Sequence, residues 1–189
     1  MTQPLTPRQR ELFNSLLRDF LAEGFKSFTI DAAAKRYRCS KSTIYALGET
    51  RDAILRRVLV SFFREIARRT TPPAHTKTGS ATHALESYFE AITAALRPAS
   101  PDFMRDLTAE TVAQEVFSIN TKAATEIIHT ILVRGVDSGE FRVSDAQFLS
   151  LFIYRAMNDI QRGTYSETIS TADAYRELGR LILRGVTRN

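Results

Sequence analysis

Apolar residues in this chain recur at i, i+3 and i+4 and almost nowhere at alternate positions, so the chain is set to fold as helices that each bury one face. Leu12, Phe13, Leu16, Leu17 and Phe20 make the first such stripe, with Thr6 placed to cap it, Pro7 at its first position and Gly24 to stop it. Thr29 signals a second, shorter helix, with Asp31 in its first turn and Ile30, Ala33, Ala34 and Tyr37 as its apolar face. Ser40 caps a third, Lys41 to Leu47, in which Ile44 and Leu47 face inward while Lys41, Ser42, Thr43 and Tyr45 face out. Thr50 then caps a long helix striped by Ile54, Leu55, Val58, Leu59, Phe62, Phe63 and Ile66. With only 8 Gly and 6 Pro in 189 residues, turn-rich β structure has little to build on, and no segment reads as a strand.

Thr70 to Ser80 holds two consecutive prolines and no apolar periodicity, which predicts a linker or exposed loop and a division into domains 1–69 and 70–189. Beyond it, Leu85, Tyr88, Phe89, Ile92 and Leu96 predict a fifth helix, broken by Pro98 and Pro101, and Phe103 to Phe117 reads as one or two shorter ones. Asn120 or Thr121 begins the next, carrying Ala124, Ile127, Ile128, Ile131 and Leu132 and ended by Gly139. Ser144 caps a segment apolar almost all round from Phe148 to Ile160, which needs partners on two sides. Residues 171 to 186 make a last helix with Tyr175, Leu178, Leu181, Ile182 and Val186 apolar. The expected fold is all-α, about nine helices in two domains.

The net charge of +5 is unevenly placed. Residues 1–70 hold 14 Lys and Arg against 7 Asp and Glu, a net +7, and residues 71–189 hold 12 against 14, a net −2. A basic first third beside a slightly acidic remainder points to a module that meets a polyanion, joined to one with another task. Cys39 is the only cysteine, so neither a disulfide framework nor a four-ligand zinc site can be built, and a reducing cytoplasm is the expected setting. Apolar runs stay under ten residues, about half of what a membrane span needs, and the first residues lack a signal-peptide core. His75, His83 and His129 stand far apart and in no metal-binding spacing, and the carboxylate pairs Glu86/Glu90 and Glu110/Glu115 have no His beside them. They read as solvated faces, and neither an enzyme, a cofactor nor a metal is expected.

Three short helices before a long one, with the third polar on its outer face, match what a helix-turn-helix requires. A helix entering the major groove needs polar side chains and free N–H groups in its first turn, where they meet phosphate and base edges. Lys41, Ser42 and Thr43 occupy that turn; Tyr45 and Arg51 are placed to reach the flanking backbone.

At these residues the sequence resembles the TetR family of bacterial transcriptional regulators. The resemblance runs from Leu12 to about Leu55 and is carried by Phe20, Glu23-Gly24-Phe25, Phe28-Thr29-Ile30, Ala33, Ser40-Lys41-Ser42-Thr43-Ile44-Tyr45 and Arg51-Asp52-Ala53-Ile54-Leu55. A weaker echo is Gly135-Val136-Asp137-Ser138-Gly139-Glu140-Phe141-Arg142. The resemblance implies a DNA-binding domain followed by a ligand-binding, dimerising one. It implies that Thr29 touches phosphate, that Lys41, Ser42 and Thr43 face the groove beside the capping Ser40, and that Tyr45 and Arg51 clamp the backbone. Two departures stand out: Tyr37-Arg38-Cys39 replaces the usual Ala-Gly-Val, placing Arg38 where a left-handed glycine would serve or where it adds a phosphate contact, and Ala46-Leu47-Gly48 replaces an aromatic-rich stretch.

The expected function is a ligand-responsive regulator, a repressor that binds a palindromic operator as a homodimer and is released by a small-molecule effector. Tyr88, Phe89, Ile92, Phe103, Met104, Phe117, Ile128 and Tyr154 are candidates for the effector pocket; Phe148, Phe152, Tyr175, Leu178, Leu181 and Ile182 are candidates for the dimer interface. Gly179 and Gly185 would allow close helix approach. The alternative is a DNA-binding module without small-molecule input whose C-terminal domain recruits a protein partner.

Overall fold

Side-chain oxygens start the helices one after another. Thr6 caps α1 (Pro7–Glu23): its hydroxyl accepts from the Gln9 N–H while the Gln9 side chain accepts from the Thr6 N–H, a closed capping box with Pro7 in the first turn. Thr29 caps α2 (Ile30–Arg36) through the Ala32 N–H, and Ser40 caps α3 (Lys41–Tyr45) through the Thr43 N–H. Thr50 accepts from the Ala53 N–H at the head of α4 (Arg51–Thr70). Then follow α5 (Ala81–Leu96), α6 (Pro101–Ala109), α7 (Thr111–Asp137), α8 (Ala146–Gln161) and α9 (Thr171–Val186). The computed structural model describes residues 5–70 and 79–187; among these the fold is all-α, nine helices with no strand beyond a single bridge between Phe141 and Thr187. Most of the expected linker, His75 included, lies outside the described residues.

Three expectations are corrected. The third helix is five residues rather than seven, because the chain after Tyr45 tightens into i→i+3 bonds, the Leu47 N–H to the Ile44 carbonyl and the Gly48 N–H to the Tyr45 carbonyl, while Leu47 stays buried. The helix expected to begin at Asn120 or Thr121 starts at Thr111 instead and runs for 27 residues: no Gly or Pro interrupts it before Gly135, and Thr121 is buried as an ordinary interior position. The cap of α8 is Asp145 rather than Ser144, its carboxylate accepting from the Phe148 N–H at 2.9 Å.

The chain divides into two compact units, Met1–Phe63 with Pro98–Phe117, and Arg64–Arg97 with Ser118–Asn189, so the division falls inside α4 and α7. In the first unit the aromatic side chains supply the core: Phe20 packs on Phe25 and Phe28, Phe25 and Phe62 set their edges against Phe103, and Phe63 leans on Phe117. Each such ring contact adds about 0.5–1.5 kcal/mol beyond area burial. α6 is tied to the turn after α1 by polar contacts as well. The buried Asp106 carboxylate accepts from the N–H groups of Phe25 at 2.6 Å and Lys26 at 2.8 Å, and the Ser100 N–H donates to the Leu21 carbonyl at 2.7 Å.

In the second unit α5 packs along α9 at a glycine: a Cβ on Gly179 would stand 2.6 Å from the Phe89 Cβ. Leu85, Tyr88, Phe89 and Ile92 on one side and Tyr175, Leu178 and Ile182 on the other are all buried, each large side chain stabilising the fold by about 1.5–3 kcal/mol relative to exposure. The chain turns after α7 through Gly139, and Phe141 folds back over Gly135, where any side chain would collide with its ring. The Glu140 carboxylate then caps α5, accepting from the Ser80 hydroxyl and from the Ala81 and Thr82 N–H groups. Those bonds hold its pKa down to about 2.

Candidate nucleic-acid interface

α2, α3 and the turn between them put polar side chains outward on a small apolar base. Ala33 of α2 and Ile44 of α3 are buried, with Leu47 just beyond, while Thr29, Arg38, Ser40, Lys41, Ser42 and Tyr45 are exposed and Thr43 is half-buried. Thr29 and Ser40 both spend their hydroxyl lone pairs on caps, and Ser40 further shares hydrogen bonds with the Ser42 hydroxyl at 2.7 Å and the Thr43 hydroxyl at 2.8 Å. The first turn of α3 is therefore held as a rigid cluster of hydroxyls rather than as independent side chains. Lys41 meets Asp31 at 2.6 Å, a pair exposed on both sides, and the Asp31 carboxylate raises the lysine pKa. Such exposed pairs are weak because water screens them, so the lysine is readily drawn to a stronger anion.

The turn has the geometry of a Schellman helix ending with an arginine in the glycine position. The Cys39 N–H donates to the Ala34 carbonyl and the Arg38 N–H to the Lys35 carbonyl, and Arg38 takes a φ of 48°. Among the described residues it is the one non-glycine at positive φ. α2 is fixed to α1 by a second polar cluster: the Tyr37 hydroxyl donates to Asp19 at 2.5 Å, and the Arg36 guanidinium bridges Asp19 and Glu23 at 2.8–2.9 Å. Partial burial, then the Asp19 carboxylate, pushes the Tyr37 phenol well above its ordinary pKa, so it is a donor at all physiological pH. Gly48, the other departure, is where the backbone meets the first turn of α4; a Cβ there would come within 2.8 Å of the Ile54 nitrogen.

Arg51 is engaged inside the unit. Its Nε donates to the Phe28 carbonyl at 2.9 Å, one terminal nitrogen to the Phe25 and Lys26 carbonyls at 3.2 Å, and both terminal nitrogens to the Glu110 carboxylate at 3.1 and 3.2 Å. Arg56 pairs likewise with Glu115 at 2.5 Å. The pair Glu110/Glu115, which the sequence suggests is a solvated face, thus fastens the start of α7 to the start of α4. Neither tie has a local sequence signal, since each partner lies 59 residues away.

The remaining candidates are split. Tyr88, Phe89, Ile92 and Ile128 are buried in the second unit and Tyr154 is half-buried there, whereas Phe103, Met104 and Phe117 belong to the core of the first. Of the interface candidates, Tyr175, Leu178 and Ile182 are buried within their own unit, while Phe148, Phe152 and Leu181 are 68%, 54% and 67% exposed. Leu151, 52% exposed, joins Phe148 and Phe152 on α8. Cys39 is half-buried, and no three His, Cys, Asp or Glu gather as a metal site among the described residues. Among those residues no helix is long and apolar enough to cross a membrane.

No family model matches the sequence, and no curated protein does. Solved structures do match the fold. A protein assigned as a transcriptional regulator from Saccharomonospora viridis, solved in complex with choline, aligns over 96% of this chain and 98% of its own with a TM-score of 0.74 at 17% identity. A bacterial regulatory protein of the TetR family from Rhodococcus RHA1 aligns over 98% and 100% with a TM-score of 0.71 at 17% identity. The TetR family transcriptional regulator PfmR from Thermus thermophilus aligns over 94% and 99% with a TM-score of 0.65 at 18% identity. The chain has the fold of the TetR-family transcriptional regulators.

Proposed function

We propose that this chain is a ligand-responsive transcriptional regulator, a repressor that reads a palindromic operator as a homodimer. The observation that carries the reading is the exposed hydroxyl and lysine cluster at the head of α3, held in place by the Ser40 cap and by Ile44 beneath it. Lys41, Ser42 and Thr43 would meet base edges or phosphates in the major groove; Thr29, Arg38, Ser40 and Tyr45 would meet the flanking backbone. Arg51, with its donors committed to Phe25, Lys26, Phe28 and Glu110, would act as the brace that sets the angle of this surface. Domains 1–69 and 70–189 would divide the labour, reading DNA and sensing an effector. The exposed apolar side chains Phe148, Leu151 and Phe152 of α8 and Leu181 of α9 support pairing of two copies.

An effector acts only through its different affinity for the operator-binding and released arrangements. The bound choline of one structural neighbour supports a small molecule as the input here, and a cytoplasmic setting agrees with a DNA target. The test is anisotropy of a selected operator duplex across a salt series. Lys41→Ala should weaken specific binding by about 1–3 kcal/mol and relax the preferred sequence. Arg51→Ala should lower thermal stability while leaving the salt slope unchanged; a slope reduced by about one would make Arg51 a phosphate contact instead.

A further inference from the structure

Two carboxylates, Asp106 of α6 and Glu110 at its end, close around the turn that leads into α2. The peptide groups of Phe25 and Lys26 are held from both sides. Their N–H groups donate to the Asp106 carboxylate at 2.6 and 2.8 Å, and their carbonyls accept from one terminal nitrogen of Arg51, both at 3.2 Å. The Phe28 carbonyl accepts from the Arg51 Nε at 2.9 Å, and the guanidinium is in turn held by Glu110 at 3.1 and 3.2 Å. Among the described residues one backbone hydrogen bond closes within the turn, from the Phe28 N–H to the Phe25 carbonyl. The path from Gly24 to Thr29 therefore depends on side chains from α4 and α6. Gly24 leaves room for them, since a Cβ there would stand 2.5 Å from an Asp106 oxygen. Asp106 and Phe25 are buried, so water competes little for these bonds.

Thr29, the cap of α2, is the next residue after Phe28, so whatever fixes the turn fixes where its hydroxyl stands. The head of α3 is held by other means: Ser40 caps it, Ile44 is buried beneath it, and the Leu47 carbonyl just past its end accepts from Arg57 at 3.1 Å. A carboxylate in a DNA-reading unit repels a polyanion, so on charge alone the loss of Glu110 should strengthen DNA binding. The geometry predicts the reverse.

We propose that Asp106 and Glu110 are positioning residues for DNA reading, Asp106 acting directly and Glu110 through Arg51 to fix the turn so that Thr29 meets the phosphate backbone. The assignment rests on the DNA-reading role, and it makes residues 98–117 part of the reading unit, which is then incomplete within 1–69. The test uses the full chain and the operator duplex it selects, by anisotropy at a temperature where circular dichroism shows each variant folded. Glu110→Ala and Asp106→Ala should each lower operator affinity about tenfold, a size usual for groups coupled through shared contacts. Asp106→Asn, whose carboxamide oxygen still accepts both N–H groups, should keep most of it. Glu110 is half-buried at the end of α6, so its variant carries the test if Asp106→Ala does not fold. In combination with Thr29→Gly, which deletes the hydroxyl at little cost to the cap, either alanine change should cost less than about threefold further, whereas with Lys41→Ala the losses should multiply. A folded Glu110→Ala variant that binds operator as tightly as the unmodified chain, or losses that multiply with Thr29→Gly, would overturn the assignment and leave the DNA-reading role standing. An unmodified chain that selects no duplex would overturn both.

Discussion

Arg38 holds a conformation that costs an L-residue about 1–2 kcal/mol, and glycine would adopt it freely at some cost in unfolded-state entropy. Arg38→Gly is therefore expected to raise stability by about 0.5–1 kcal/mol in urea unfolding. If Arg38 meets phosphate as proposed, the same variant lowers the salt slope of DNA binding by about one; a destabilised variant would mean that the side chain, not the backbone, decides this turn. The strain was legible only through the family resemblance, in which Tyr37-Arg38-Cys39 stands where Ala-Gly-Val is usual, because a helix end does not by itself require a left-handed residue. Arg51 was legible only as a basic residue near the right place, since what occupies it, Glu110, is set by tertiary packing. Glu140 gives a pH signature of the same local kind. Its folded pKa, about 2, lies below the ordinary 4.5, so its contribution is complete above about pH 4.5 and is lost as pH falls toward 2. Glu140→Gln should be less stable near neutrality and should show a shallower acid limb between those values in thermal melts; an unchanged limb would count against the cap.

Helices with strong caps and clean stripes were readable, and the ones that differ do so for definable reasons. Thr6, Thr29, Ser40 and Thr50 act as read because a side-chain oxygen ahead of an apolar stripe has one local use. The start of α7 was not, because Thr121 looks like a cap in sequence and is an interior residue of an unbroken helix in the structure. The tie between α6 and the turn after α1 was invisible for another reason: Asp106 reads as one more solvated acid, yet it is buried and receives two N–H groups from 80 and 81 residues away. Asp106→Ala leaves both N–H groups without their acceptor and should cost about 2–3 kcal/mol in chemical unfolding. A loss under about 0.5 kcal/mol would mean that water replaces the carboxylate and that the tie is incidental.

For the molecule as a whole, the all-round apolarity of Phe148 to Ile160 resolves into two faces. Ile153, Met157 and Ile160 are buried in the protomer, while Phe148, Leu151 and Phe152 remain exposed, joined in the dimer proposal by Leu181 of α9. The sequence could show that this helix needs two partners but not which residues face which, and it placed Tyr175, Leu178 and Ile182 at the interface although α9 buries them in its own unit. Phe152→Arg and Leu181→Arg should each yield monomers in sedimentation equilibrium, with secondary structure intact and operator affinity strongly reduced, because two half-sites are then no longer bound together. An unmodified chain that sediments as a monomer at micromolar concentration would remove the dimer from the account.

The reading of a palindrome by two copies of α3 is the central claim, and selection of randomised duplex DNA by the purified chain at moderate salt tests it most directly. The account predicts an enriched inverted repeat with half-sites about one helical turn apart, or a multiple of it, and a steep fall in affinity with salt. Weak binding that depends on salt but enriches no sequence would contradict it.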